Sequence, residues 1–254
     1  MKFWLILVSH LMVCYFVLII SSCNYSENFR DIFHNRSTLL LIAHPDDESM
    51  FFGPLLIQLI AKSPETVYLM CLSSGNNYGQ GEIRKKELVD AMKLLTLPPE
   101  NVFLLDDKEI KDGFHEVWDH QHVSDLVSKR IDSLNITNVI SFDEHGVSGH
   151  PNHIDVFKSI EELARRRSDL SFFSLFTVNK LRKYSIFMDI PFSALENMIY
   201  NHLLVSISFY DYLRLLRVLI QHRSQMLWFR WLYAFFSRYM FINTLIPWTT
   251  SLPG

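Results

Sequence analysis

Residues Thr38 to Phe52 constrain this chain more than any other stretch. Leu39-Leu40-Leu41-Ile42-Ala43 is an unbroken apolar run, without the polar alternation of a half-exposed strand, and reads as a short strand buried on both faces. It stops at His44-Pro45. Pro45 keeps His44 extended, so the imidazole stands at the strand's end. Asp46, Asp47, Glu48 and Ser49 follow, and Ser49 or Asp47 is suited to cap a helix running from Met50 to Ala61. A strand-to-helix turn of this kind lies at the carboxyl edge of an open α/β sheet, where ligands bind.

Folding alone does not account for that crowding, because adjacent carboxylates repel and a strand–helix turn needs no histidine. Acids do suit the positive end of a helix, and for an isolated Asp-Asp-Glu that explanation would suffice. Here His44 and Asp47 are three residues apart across a turn and can aim at one cation. Zinc accepts both donor types and, in catalytic sites, keeps a position for water. Of the two aspartates one can ligate while the other takes that water's proton; spacing leaves open which does which. A second apolar run, Asn138 to Phe142, ends in Asp143-Glu144-His145-Gly146-Val147-Ser148-Gly149-His150-Pro151-Asn152-His153. His150 and His153 repeat the three-residue spacing after a strand. Two such turns supply a His-Asp-His set with a fourth position free.

Ala43-His44-Pro45-Asp46-Asp47-Glu48, with Gly149-His150-Pro151-Asn152-His153 far downstream, resembles the LmbE-like family of zinc-dependent GlcNAc de-N-acetylases. The likeness extends through Gly81-Glu82-Ile83-Arg84-Lys85-Lys86-Glu87 and His222-Arg223-Ser224-Gln225-Met226. The resemblance implies His44, Asp47 and His153 as metal ligands, Asp46 as general base and His150 as the group facing the oxyanion. It also implies that Arg84 holds the sugar or phosphate and that His222 meets the substrate. The alternative for Arg84 is a surface pair with Glu87. Many soluble members have an acid at the position of Asn152, and Asn152 here departs from that pattern.

Between the motifs, strands over Thr66–Leu72 and Val102–Leu105 alternate with helices over Glu82–Leu95 and His122–Leu134. A helix from Asn152 to Arg167 and a strand from Leu170 to Val178 follow. This alternation predicts a Rossmann-like α/β domain over 38–254, with a mostly parallel sheet and helices on both faces. Asp106-Asp107 to Gly113 reads as a solvated acidic loop, and Arg165-Arg166-Arg167 as a solvated helix end. His115, His120 and His122 are not expected to ligate. No Gly-x-Gly-x-x-Gly is present, which argues against a nicotinamide cofactor. The net charge of −3 argues against a broad nucleic-acid surface. Cys14, Cys23 and Cys71 form no ligand or disulfide pattern.

The ends of the chain are oily. Phe3 to Ile20 is apolar but for Ser9 and His10, which predicts a transmembrane anchor over 1–22 and a polar linker over 23–37. Hydrophobic residues make up 49% of the chain, with 20 Phe. After a helix over Tyr210–Gln221, Met226 to Trp248 is aromatic but interrupted by Arg230 and Arg238; it suits a membrane interface or a helix packed on the core. Asn24, Asn35 and Asn135 head formal glycosylation triplets, whereas the resemblance implies a domain on the cytoplasmic face of the endoplasmic reticulum membrane. The resemblance implies zinc-dependent removal of acetate from a membrane glycolipid, N-acetylglucosaminyl-phosphatidylinositol. A deacetylase of a soluble GlcNAc conjugate would share the site residues. A non-catalytic membrane subunit would be expected to have lost them.

Overall fold

The computed structural model describes Ser9 and residues 29–105, 107–200 and 202–248. Apart from Ser9, the expected anchor lies outside the described residues, among which no helix is long and apolar enough to cross a membrane.

A seven-stranded sheet organises the molecule, in the order β3-β2-β1-β4-β5-β7-β6. Its strands are β1 (Thr38–Ile42), β2 (Val67–Cys71), β3 (Val102–Leu104), β4 (Asn138–Phe142), β5 (Ser171–Leu175), β6 (Leu203–Ser206) and β7 (Ile242–Pro247). Every residue of β1 and β4 is buried, as continuous apolar runs require when both faces are covered. β1 pairs in parallel with β2 on one side and β4 on the other, Leu40 standing opposite both Leu69 and Ile140. The chain therefore steps outward from β1 to β2 and β3, then returns across β1 to lay down β4 and β5. Direction reverses between β1 and β4, so their carboxyl ends flank the crevice in which open α/β sheets take ligands. This topology is why two turns about a hundred residues apart can build one site.

The connecting helices are α1 (Asp47–Met50), α2 (Gly53–Ile60), α3 (Gly81–Leu94), α4 (His120–Leu134) and α5 (Pro151–Arg166), followed by α6 (Ile186–Tyr200), α7 (Phe209–Leu219) and α8 (Trp228–Phe236). Right-handed crossovers place the helices before and after the reversal on opposite faces. Consistently, α4 packs on α5, and α7 packs on α2 and α3. Local chemistry fixes several starts: Asp119 accepts from the N–H groups of Gln121 and His122 to begin α4, and Pro151 opens α5 without spending a donor.

The sheet is mostly parallel, as expected, with an antiparallel end in which β7 runs against both β5 and β6. Two expectations are corrected. The helix from Met50 to Ala61 breaks at Phe51-Phe52 into α1 and α2, and no side chain caps α1: Asp46 holds the cap position, and Ser49 donates to its carbonyl instead. Met226–Trp248 is neither wholly helical nor wholly superficial. It divides into α8 and the largely buried strand β7, where the Asn243 side chain accepts from Leu55 N–H and donates to the Phe51 carbonyl.

Candidate active site

The turn after β1 is held in a conformation that its sequence would not choose alone. Asp46 has φ 117° and ψ −21°, a costly position for a residue with a Cβ. Its N–H donates to Glu48 Oε2 at 3.0 Å, and Ser49 Oγ donates to its carbonyl at 3.1 Å. Glu48 is itself fixed by His222 Nε2 at 2.6 Å, both side chains being fully buried. Asp47 turns back on the strand, its Oδ2 accepting from the N–H groups of Ala43 (3.1 Å) and His44 (2.8 Å). Arg84 reaches in from α3 and donates to the carbonyls of Gly75 (3.0 Å) and Pro45 (2.7 Å). Its guanidinium lies 3.7 Å from both Asp46 and Asp112. Gly75 has no substitute there: its φ is +67°, and a Cβ would fall 2.3 Å from Arg84 Nη1.

The turn after β4 is likewise strained. Val147, a β-branched residue, has φ 59°. Gly146 beside it makes room for His153, whose Cβ would lie 2.7 Å from a Gly146 side chain. The His153 ring stacks on Phe142, centroids 4.1 Å apart and planes 4° from parallel. Asp143 faces away from the histidines and accepts from the N–H and hydroxyl of Thr177.

The two turns meet. The His44 and His153 rings are 5.5 Å apart, and a nitrogen from each of His44, His150 and His153 lies within 4.8 Å of the others. Hydrogen bonds assign the ring protons. His153 Nδ1 faces the Gly146 carbonyl at 2.9 Å, which can only accept, so Nδ1 carries the proton. Its Nε2 then faces Asp47 Oδ1 at 3.3 Å. His44 Nε2 faces Asp112 Oδ1 at 3.0 Å and Asn152 Oδ1 at 3.1 Å, both acceptors, which leaves its Nδ1 toward Asp47 Oδ2 at 3.7 Å. Asn152 is oriented independently, since the same oxygen accepts from Gly113 N–H. His150 is the other way round: its Nδ1 accepts from Asn152 N–H at 3.3 Å, so a neutral ring carries its proton on Nε2 and can donate.

Neutral rings would aim two lone pairs at one carboxylate and repel it, so the site calls for positive charge there, from a proton on a ring or from a cation. Burial disfavours protonated His44, but its hydrogen bond to Asp112 and the charges of Asp47 and Asp112 outweigh that and raise its pKa. Burial likewise acts against ionised Asp47, yet His153 and His44 hold its carboxyl well below the usual range. Asp47 has no arginine or lysine partner among the described residues. His44 Nδ1, His153 Nε2 and an Asp47 oxygen therefore fit a divalent cation, with Asp112, Asn152 and Gly146 orienting the rings from behind. His150 is held down to about 4 by burial and by the neighbouring His44 and His153, so at neutral pH it is uncharged.

Above these groups opens a cavity of about 830 Å³. Its polar floor includes His44, Asp46, Asp47, Arg84, Asp112, His150 and His153; its other wall is mainly aromatic and apolar, drawn from Phe51, Tyr184 and α8. Arg230 of α8 brings its guanidinium 3.0 Å from Asp46 Oδ2 and also meets Met50 Sδ.

Residues 39–164 match the family model described as GlcNAc-PI de-N-acetylase. The chain is 40% identical over 211 residues to the N-acetylglucosaminyl-phosphatidylinositol de-N-acetylase of Bos taurus, covering 82% of each protein. The chain belongs to the GlcNAc-PI de-N-acetylase family. It is also 33% identical to the probable enzyme of that name from Schizosaccharomyces pombe, over 90% of this chain and 94% of that one. Its fold is similar to that of N,N'-diacetylchitobiose deacetylase from Pyrococcus horikoshii, with a TM-score of 0.61, 16% identity and 86% of both chains covered. Both motifs fall inside the matched segment, whereas α6, α7, α8 and β7 lie beyond it.

Of the residues singled out from sequence, His44, Asp46, Asp47, Arg84, His150 and His153 all line the cavity. Arg84 is buried and is not a surface partner of Glu87, which accepts from Ser224 instead. His222 does not face the cavity; it is fully buried behind Glu48, two hydrogen bonds from the Asp46 backbone. Asp112 is not solvated but sits against His44 and Arg84. Of the helix-end arginines, Arg166 and Arg167 pair with Asp125, Asp132 and Asp169. Asp112, Asn152 and Arg230 were missed because their roles depend on partners 68 or more residues away along the chain.

Proposed function

We propose that the chain removes the acetyl group from N-acetylglucosaminyl-phosphatidylinositol, releasing acetate and leaving glucosaminyl-phosphatidylinositol for glycosylphosphatidylinositol anchor synthesis. The observation that carries this reading is the pair of ring nitrogens, His44 Nδ1 and His153 Nε2, converging on Asp47 beside a strained Asp46. In this reading His44, Asp47 and His153 hold a divalent ion, best suited as Zn²⁺ to nitrogen and oxygen donors. Such an ion acidifies water and polarises a carbonyl when bound.

The chain's own residues do the rest. Asp46 accepts the proton of the attacking water and returns it to the departing amine. Its strained backbone, held by Glu48 and Ser49, fixes the carboxylate, while Arg84 and Arg230 flank its oxygens. Neutral His150 donates from Nε2 to the oxyanion as the tetrahedral centre forms, a contribution worth about 3 kcal/mol. Arg84 positions the sugar at the mouth of the floor. His222 acts through Glu48, as a positioning residue.

The apolar wall supports a lipid-linked substrate over a soluble GlcNAc conjugate. Trp228, Phe229, Trp231, Leu232, Phe235 and Phe236 of α8 are all exposed, and three of them also line the cavity. Aromatic rings in that density suit a bilayer interface. In our reading α8 faces the endoplasmic reticulum membrane, residues 1–22 anchor the chain there, 23–37 link, and 38–254 form the catalytic domain on the cytoplasmic side. Acetate release from the glycolipid in mixed micelles tests the activity: turnover abolished by a chelator and restored by Zn²⁺ is expected, and turnover indifferent to the chelator refutes the metal reading.

A further inference from the structure

Lys183 is a charged residue that the chemistry above leaves without a task. It closes the short helix Lys180–Lys183, is only 8% exposed, and lines the cavity. Among the described residues its ammonium has neither an ion-pair nor a hydrogen-bond partner. What surrounds it is aromatic: Nζ lies 5.6 Å from the Tyr233 ring, 5.8 Å from Phe51, 5.9 Å from Tyr184 and 6.0 Å from Tyr239. Ring faces lend a cation some stabilisation but do not replace a counter-charge. Burial, with Arg230 and Lys180 nearby, pushes its pKa down to about 8, so the charge is retained at neutral pH at a cost to the fold. Arg230, the other cation on this wall, is already answered by Asp46. A buried, unpaired ammonium opening on a cavity is a place where an anion belongs.

The position says which anion. Tyr233, against which Lys183 packs, belongs to α8, the helix whose other residues form the apolar wall and the exposed aromatic face. Lys183 thus stands on the lipid side of the cavity, while the acetamide-cleaving groups form the floor. In a glycolipid that joins sugar to diacylglycerol through inositol phosphate, the charged group between those ends is a phosphodiester. We propose that Lys183 is the phosphate-recognition residue of this cavity, pairing with the phosphodiester of the glycolipid headgroup and thereby selecting lipid-linked over phosphate-free substrates. This rests on the substrate assigned above.

The test compares the wild type with Lys183→Met and Lys183→Arg on two substrates, the glycolipid and N-acetylglucosaminyl-inositol, which lacks the phosphate. One lost charge-assisted contact corresponds to a fall of roughly 10- to 100-fold in kcat/KM. Lys183→Met is expected to show that fall on the glycolipid, mainly through KM, and at most about a threefold fall on the phosphate-free analogue. Lys183→Arg should recover most of the loss. Equal losses on both substrates, or none on either, overturn the proposal. Binding of glycerophosphoinositol, measured by calorimetry, reads the subsite without any turnover. A weakening of about tenfold or more in Lys183→Met supports it, and an unchanged Kd overturns it even for a chain that releases no acetate.

Discussion

Arg182, Asp189, Glu196 and Arg238 form a largely buried charge cluster between α6 and the turn before β7, and His44, Asp46, Asp47 and Arg84 form another at the carboxyl ends of β1 and β4. The first balances its own charge. Arg182 donates to Asp189 at 2.5 Å, to both Glu196 oxygens at 2.6 and 2.8 Å, and to Ser193. Arg238 Nε lies 2.8 Å from the other Asp189 oxygen, at ion-pair distance though off the hydrogen-bond direction, and its Nη2 donates to Thr244. Two guanidinium groups answer two carboxylates. The second is not completed from within: among the described residues Asp47 meets only imidazole nitrogens and backbone N–H groups, and Asp46 sits in a conformation that other residues impose. Buried charge completed from within holds a fold together, and buried charge left incomplete waits for an ion, a water or a substrate.

The sharpest way to break this contrast is to neutralise one aspartate in each cluster. Asp46→Asn should lower kcat by roughly 10²- to 10⁴-fold, the usual worth of a general base, with bound metal and melting temperature little changed. His153→Ala should lose both activity and metal, read by elemental analysis of the purified protein. Near-normal turnover in Asp46→Asn would remove Asp46 from the chemistry. Asp189→Asn should do the opposite. It leaves Arg238 buried without a full counter-charge and should cost about 3–5 kcal/mol of stability in a urea titration, while kcat of the folded fraction stays within about twofold. A large loss of kcat with stability intact would show that the second cluster is functional too.

How far each cluster could be read from sequence follows the same division. β1, β4 and the turns after them were legible because continuous apolar runs ended abruptly in His-Pro or Gly-rich polar segments, both local signals. β4 has the predicted bounds Asn138–Phe142, and the helix expected from Asn152 starts one residue earlier, at Pro151. Arg84 was a site candidate through the family resemblance that Gly81 to Glu87 carries. The second cluster was not foreseen, since Arg182, Asp189 and Arg238 carry no motif and meet only through tertiary packing. β7 was hidden for a related reason. Its six residues lie beside the aromatic stretch of α8, and neither period nor composition separates a short buried strand from a helix packed on the core. Asp112 looked like one acid among several until β1 and β4 brought His44 to it.

A smaller effect is expected at the face that joins the site to its surroundings. Trp228 and Trp231 are exposed on α8 and do not line the cavity. Replacing both with Ser should lower turnover of glycolipid presented in vesicles by roughly tenfold, the worth of losing two interfacial rings. Turnover of the phosphate-free soluble analogue should be unaffected. Equal rates on vesicles would detach α8 from the bilayer.

Lys183 provides the finest test, because it shares one trait with each cluster: it is buried, as Arg238 is, and it is unanswered, as Asp47 is. Its pKa of about 8 lies below the ordinary lysine value of 10.5, so between these values the unfolded chain binds more protons than the folded one. Stability must then rise with pH across that window, and the penalty of the buried charge is complete below about pH 8. Lys183→Met removes the penalty. The variant should be more stable than the wild type by about 1–3 kcal/mol at pH 7, and the gain should fade as pH approaches 10.5. Saturating glycerophosphoinositol should stabilise the wild type and leave the variant's melting temperature in place, narrowing the difference. A residue retained only for packing would make the variant less stable at every pH. A substitution that strengthens the fold while weakening headgroup binding separates a charge kept for its ligand from one, such as Arg238, kept for the fold.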